Sequence, residues 1–153
     1  MPLQSQKLLD PRKDLLKEVL LRWGCARLQV NGTSMLPSLF PYDVVLLMPC
    51  SASELVPGDL VLGEHKQGWL LHRVVRLENG WVHTRGDLLF FDDPPTNAEN
   101  VLAKVVGLER FGRQRAVPPV GFATRVFARA NQSLGLLAGA AHIYARLRQR
   151  FAD

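Results

Sequence analysis

The chain has 153 residues, 47% hydrophobic and 22% charged, enough for one domain with a core and too short for two ordinary ones, which excludes a multidomain enzyme. The same fractions exclude a disordered tail protein and a polytopic membrane protein. The net charge of +5 is uneven: Arg110 to Arg150 holds eight Arg and no Lys, Asp or Glu, whereas residues 1–109 hold 11 basic and 13 acidic residues. The basic character therefore belongs to one C-terminal segment, where it suits an anionic surface.

Asp10-Pro11 opens a helix, since Asp is a good N-cap and Pro is preorganised at the first helical position. Leu15, Leu16, Val19, Leu20 and Trp23 then fall on one apolar face, and Gly24 stops the helix, giving an N-terminal amphipathic unit over residues 1–24. Ten Pro and twelve Gly argue against a helical bundle and for many short strands. Residues 25–110 read as a β-rich core, with apolar runs at Val44–Met48, Leu60–Leu62, Trp69–Leu77, Trp81–Thr84 and Val101–Leu108 separated by Pro, Gly, Asn and Asp. Asn79-Gly80, between two such runs, predicts a two-residue hairpin loop, because both central residues of a type I′ turn need positive φ.

Residues 111–153 form a basic, Arg-rich segment, with one or two helices expected over 122–150 carrying Arg125, Arg129, Arg146, Arg148 and Arg150. Its uncharged stretch, Ala130–Ala145, is 16 residues long, shorter than the about 20 apolar residues of a spanning helix. It is expected to lie on an anionic membrane surface or to pack on the β body, and its arginines read first as a solvated face with snorkelling side chains and second as a membrane-surface contact. Gly135 and Gly139 form a GxxxG, a weak signal for close helix contact. The fold class is thus mainly β with an N-terminal helix and C-terminal helices, α+β overall. The start of the chain lacks the pattern of a secretory signal, so a cytoplasmic location is expected, peripheral to the membrane where the Arg segment attaches. Cys25 and Cys50 show neither disulfide nor zinc spacing, and neither a metal nor an organic cofactor is expected.

Three segments carry chemistry: Gly32-Thr33-Ser34-Met35-Leu36-Pro37-Ser38-Leu39, then Leu71-His72-Arg73-Val74-Val75, then Thr84-Arg85-Gly86-Asp87 followed by Asp92-Asp93. A hydroxyl nucleophile needs an imidazole base and a carboxylate that fixes its tautomer. Ser, His and Asp supply those roles in order. Taken singly, Ser34 reads as a turn hydroxyl, His72 as a half-buried strand residue and Asp92-Asp93 as a solvated turn; taken together they read as a catalytic set. His65, His83 and His142 have no such context and are expected to be surface or satisfied histidines.

These blocks resemble the signal peptidase I and LexA-like serine peptidases (the S24/S26 peptidase family), and most of all the archaeal and endoplasmic-reticulum signal peptidases, over about Asn31 to Gly107. The resemblance implies Ser34 as nucleophile, His72 as general base in a His-Arg-Val motif, and Asp93 as the third catalytic residue. Val56-Pro57-Gly58-Asp59 and Gly86-Asp87 resemble the family's Gly-Asp turns, while Pro41-Tyr42-Asp43 stands where another Gly-Asp is usual. At the position of a hydroxyl residue that often assists the oxyanion hole stands Gly32, as in LexA-like members, which leaves that work to the backbone at Gly32 and Ser34. Leu88 and Leu89 replace the polar residues that often follow the last Gly-Asp, and the anchor expected ahead of the Ser motif is missing.

Hairpin register gives an independent reading. With a two-residue turn at Asn79-Gly80, Glu78 pairs with Trp81 and His72 falls opposite Asp87, with Cβ atoms about 4.5 to 5.5 Å apart. Register therefore nominates Asp87 and the resemblance nominates Asp93. Both are retained, Asp93 as the triad carboxylate and Asp87 as a supporting residue that alternatively pairs with Arg73, with Asp92 also supporting. A bulge would shift the parity.

The function expected is a serine endopeptidase that cleaves a precursor or signal-type peptide, docked as an extended strand. Two other classes compete: a peptidase fold that binds peptide without cleaving it, and a LexA-like regulator. The regulator needs a helix-turn-helix, and the roughly 30 residues before the Ser motif hold one clear helix. Specific nucleic-acid binding is therefore not expected.

Overall fold

The computed structural model describes residues 11–65 and 68–119. The chain enters as helix α1 (Pro11–Trp23) and continues as eight strands: β1 (Ala26–Gln29), β2 (Val44–Met48), β3 (Leu60–His65), β4 (Gly68–Glu78), β5 (Trp81–Arg85), β6 (Thr96–Asn97), β7 (Val101–Arg110) and β8 (Arg113–Arg115). They form one antiparallel sheet in the order β1-β2-β7-β3-β4-β5-β6, with β8 folded back on β7. The sheet thus extends past residue 110, into the segment that composition assigned to helices. Arg110 to Arg115 read as polar, and polarity conceals a hairpin whose turn is made by Phe111 and Gly112 at φ 54° and 70°. Asp10 and the expected C-terminal helices, with Arg125, Arg129, Arg146, Arg148 and Arg150, lie outside the described residues.

Alternation explains the strands locally. In β2, Val45 and Leu47 are fully buried while Leu46 and Met48 face outward, the period of a half-buried strand. The larger core gathers Leu20, Met35, Leu39, Val45, Leu47, Leu60, Leu62, Ala103, Val105 and Leu108. A smaller one gathers Leu55, Val61, Val74, Val82 and Val101. Helix α1 delivers Leu20 (2% exposed) to the larger core, with Leu16 and Val19 packed beside it. The expected five-residue face is narrower than that. Leu15 and Trp23 are 60% and 71% exposed, because the helix meets the sheet only along one stripe and these two residues flank it.

The β4–β5 hairpin corrects the register. Asn79 and Gly80 take φ 48° and 81°, as a two-residue turn of this kind requires. Glu78↔Trp81, Leu77↔Val82 and Arg76↔His83 then pair as expected, but the next pair is Val74↔Thr84. Val75 is bulged out, and pairing resumes one residue shifted, with Arg73 opposite Arg85. Continued in that register His72 meets Gly86, and the expected opposition of His72 and Asp87 does not occur.

Candidate active site

Ser34 lies in the turn between β1 and β2. Leu36 N–H donates to the Thr33 carbonyl (3.1 Å) and Leu39 N–H to the Met35 carbonyl (2.9 Å). Met35, Leu36 and Leu39 are at most 2% exposed. Burying three apolar side chains fixes the backbone that presents Ser34, which is itself only partly covered.

Two arginines grip the same loop. Arg110 reaches Asp43 with Nε (3.0 Å to Oδ1) and Nη2 (2.7 Å to Oδ2), and its Nη2 also donates to the Ser38 carbonyl at 3.2 Å. Asp43, fully buried, further accepts the Phe40 N–H at 2.7 Å. Planar bidentate pairing of this kind adds direction to charge. Tyr42, just before it, has φ 71°, the backbone region that favours glycine. Tyr42 thus carries a side chain at a backbone position that a glycine would adopt without strain.

Arg73 is the second clamp. Its Nε and Nη2 pair with the two oxygens of Asp87 at 2.8 and 2.7 Å, Nη1 donates to the Gly58 carbonyl at 2.8 Å, and Nη2 also reaches Ser38 Oγ at 3.3 Å. Both side chains are about 95% buried, at 4% and 5% exposure. Arg73 thus ties β4 to the Gly58-Asp59 turn, the Ser34 loop and the Gly86-Asp87 turn at once.

His72 and Arg73 are consecutive in β4, so they point to opposite faces. His72, 3% exposed, bridges two groups: Nε2 lies 2.9 Å from Ser34 Oγ and Nδ1 lies 2.7 Å from Asp93 Oδ2. Thr84 Oγ1 donates to the same Asp93 oxygen at 2.6 Å, and Asp93 N–H donates to the Thr84 carbonyl at 2.8 Å. Burial, the largest single influence on the Asp93 carboxyl, pushes its pKa up. The hydrogen bonds from His72 and Thr84, with the positive potential of His72 and His65, outweigh it, and the net position is below the ordinary value. An ionised carboxylate only accepts hydrogen bonds. Nδ1 therefore carries the ring proton, and Nε2 is left to accept from the Ser34 hydroxyl.

Gly86 closes the arrangement. Leu88 N–H donates to the Ser34 carbonyl (2.9 Å) and Leu89 N–H to the Gly86 carbonyl (2.9 Å). Among the described residues no backbone carbonyl accepts from the Ser34 N–H, which leaves that donor available beside Oγ.

Of the residues nominated from sequence, Ser34, His72 and Asp93 meet within hydrogen-bond distance. Asp87 belongs to Arg73 and does not touch the imidazole. Asp92 faces Arg85 at 3.4 Å, and Gly32 is exposed with open space where a Cβ would stand. Neither Thr84, a strand hydroxyl two residues ahead of Gly86, nor Arg110, one of the basic C-terminal charges, is marked for a role in the site by the sequence. Among the described residues no three His, Cys, Asp or Glu side chains converge as a metal site would need, and no helix is long and apolar enough to cross a membrane. No family model, curated protein or solved structure matches this chain.

Proposed function

We propose that this chain is a serine endopeptidase working by a Ser-His-Asp mechanism, of the kind that the resemblance to signal peptidase I and LexA-like peptidases implies. The observation that carries the reading is the His72 imidazole, held between Ser34 Oγ at 2.9 Å and Asp93 Oδ2 at 2.7 Å. In this reading Ser34 Oγ attacks the scissile carbonyl while His72 Nε2 takes its proton. Asp93 holds the Nδ1 proton and stabilises the imidazolium. The Ser34 N–H donates to the oxyanion, and His72 then passes its proton to the leaving amine. The substrate is an extended precursor or signal-type peptide.

The test is labelling with a serine-directed acylating probe, together with cleavage of a peptide library by the purified chain. Wild-type protein labels at Ser34 and cleaves; Ser34→Ala does neither while keeping its unfolding midpoint. An unlabelled, folded wild type would favour the non-cleaving peptide binder. Equal turnover by Ser34→Ala would remove Ser34 from the mechanism.

A further inference from the structure

The turn from Gly86 to Leu89 is held at three points beside Ser34 and His72. Leu89 N–H donates to the Gly86 carbonyl at 2.9 Å, which closes the turn on itself, and Leu88 N–H donates to the Ser34 carbonyl at 2.9 Å. Within the turn, both carboxylate oxygens of Asp87 are taken by Arg73 at 2.8 and 2.7 Å. A fixed backbone thus presents the Leu89 side chain, which is 42% exposed.

Gly86 sets how that side chain stands to the imidazole. From the point where a Cβ would stand on Gly86, Leu89 Cδ1 is 3.0 Å away and His72 Nε2 is 3.1 Å away. A methyl group of Leu89 and the ring nitrogen that faces Ser34 therefore border one small space, open because glycine has no side chain. In the Ser-His-Asp mechanism Nε2 has one partner besides the nucleophile, the nitrogen of the leaving amine, which must come within hydrogen-bond reach to receive the proton. That nitrogen belongs to the first residue after the scissile bond. An apolar group beside Nε2 is accordingly a neighbour of that residue's side chain.

We propose that Leu89 is a specificity-determining residue that selects substrates with an apolar side chain immediately after the scissile bond. The inference rests on the peptidase reading of Ser34, His72 and Asp93, and it adds a substrate class to that reading. An apolar side chain gains by covering the exposed part of Leu89. A charged one loses water and finds no free counter-charge on the loop's two flanking carboxylates, because Asp87 is paired with Arg73 at 2.7 Å and Asp92 with Arg85 at 3.4 Å. The anchored turn has little freedom left to lose, so the contact is not offset by ordering the loop.

The experiment digests a random peptide library with the full chain and reads by mass spectrometry the residue that follows each cleaved bond. Leucine, methionine and phenylalanine are expected there about tenfold more often than serine, aspartate or lysine, the low end of what an apolar contact discriminates. Leu89→Ser should reduce this ratio to about twofold or less, and Leu89→Met should keep it; the ratio is read within one digest and does not depend on the total rate. A wild-type ratio near one, or an undiminished ratio in Leu89→Ser, overturns the proposal and leaves the peptidase reading standing. A lower rate in Leu89→Ser with the ratio intact also overturns it, since the side chain would then only support the loop. Where the wild type leaves the library uncut, the peptidase reading fails, and titration with Leu-Ala-amide and Ser-Ala-amide, which carry the amine of such a product, decides the contact. Leu89 methyl resonances, assigned by their loss in Leu89→Ser, should then shift saturably with about tenfold tighter binding of the leucine amide; no saturable shift, or equal affinity for the two amides, overturns the proposal as well.

Discussion

Gly86 and Ser34 approach so closely that a side chain has no room between them: a Cβ on Gly86 would stand 2.7 Å from the Ser34 carbonyl oxygen and 3.1 Å from His72 Nε2. The obstacle is backbone, which cannot swing aside. Gly86→Ala must therefore displace the Ser34 loop or the imidazole, and displacements near 1 Å cost up to about 100-fold in rate. A fall of 10- to 100-fold in kcat/KM is expected, with a loss of about 1 to 3 kcal/mol in stability from overpacking. Gly63→Ala is the control, since its Cβ would meet nothing closer than 3.9 Å. Wild-type turnover by Gly86→Ala would refute the close approach.

The Arg73–Asp87 pair is buried and bidentate, so its two members are not separable. Asp87→Asn leaves a guanidinium without its counter-charge at 4% exposure, and breaking such a pair costs about 3 to 5 kcal/mol. Arg73→Lys should cost nearly as much, because one ammonium cannot reach Asp87, Ser38 and the Gly58 carbonyl together. Urea unfolding measures both. A midpoint unchanged in Asp87→Asn would mean that the pair does not hold the loops together.

Much of this fold is legible in the sequence wherever apolar runs are long. Val44–Met48 is a strand over its expected bounds, and Trp69–Leu77 and Val101–Leu108 extend by one or two residues each. What sequence misses is short or polar: β1, β6 and β8 have two to four residues each, too few to show a period. The bulge at Val75 is invisible for another reason. Nothing in Val74-Val75-Arg76 distinguishes a paired residue from an extra one, and a single insertion moves His72 from Asp87 to Gly86. The meeting of Ser34, His72 and Asp93 was reached through motif resemblance, because 38 and 21 residues of chain separate the partners and no local pattern encodes such contacts. Thr84 and Arg110 escaped notice because a hydroxyl in a strand and an Arg in a basic segment have ordinary explanations.

The lowered Asp93 pKa predicts how acid acts on stability. A carboxyl whose native pKa is depressed stabilises the fold fully above its unfolded value of about 3.9 and stops doing so as pH falls through the native value. Asp93→Asn should therefore be less stable than wild type at neutral pH. The difference should shrink below about pH 4 as the wild-type carboxyl gains its proton. Urea midpoints of both proteins at neutral and acid pH test this. A difference that widens through the acid range would contradict the sign.

Thr84 should act on catalysis only through Asp93. Its hydroxyl donates to Asp93 Oδ2 at 2.6 Å, and a hydrogen bond to a charged group contributes about 1.5 to 3 kcal/mol. Thr84→Val keeps the shape and the backbone bond from Asp93 N–H to residue 84, but removes that donor. The residue is 4% exposed and pairs with Val74, so an apolar replacement fits its surroundings, and the stability lost should be that of the hydrogen bond alone, about 1.5 to 3 kcal/mol. The carboxylate, held less firmly, should move up in pKa and orient His72 less well. A fall of about tenfold in kcat with KM unchanged is expected, since turning the base affects the transition state and not substrate binding. Thr84→Ser restores the hydroxyl and should restore most of the rate. Were serine and valine equally impaired, the loss would come from packing in the small core around Val74 and Val82, and Thr84 would have no part in positioning the carboxylate.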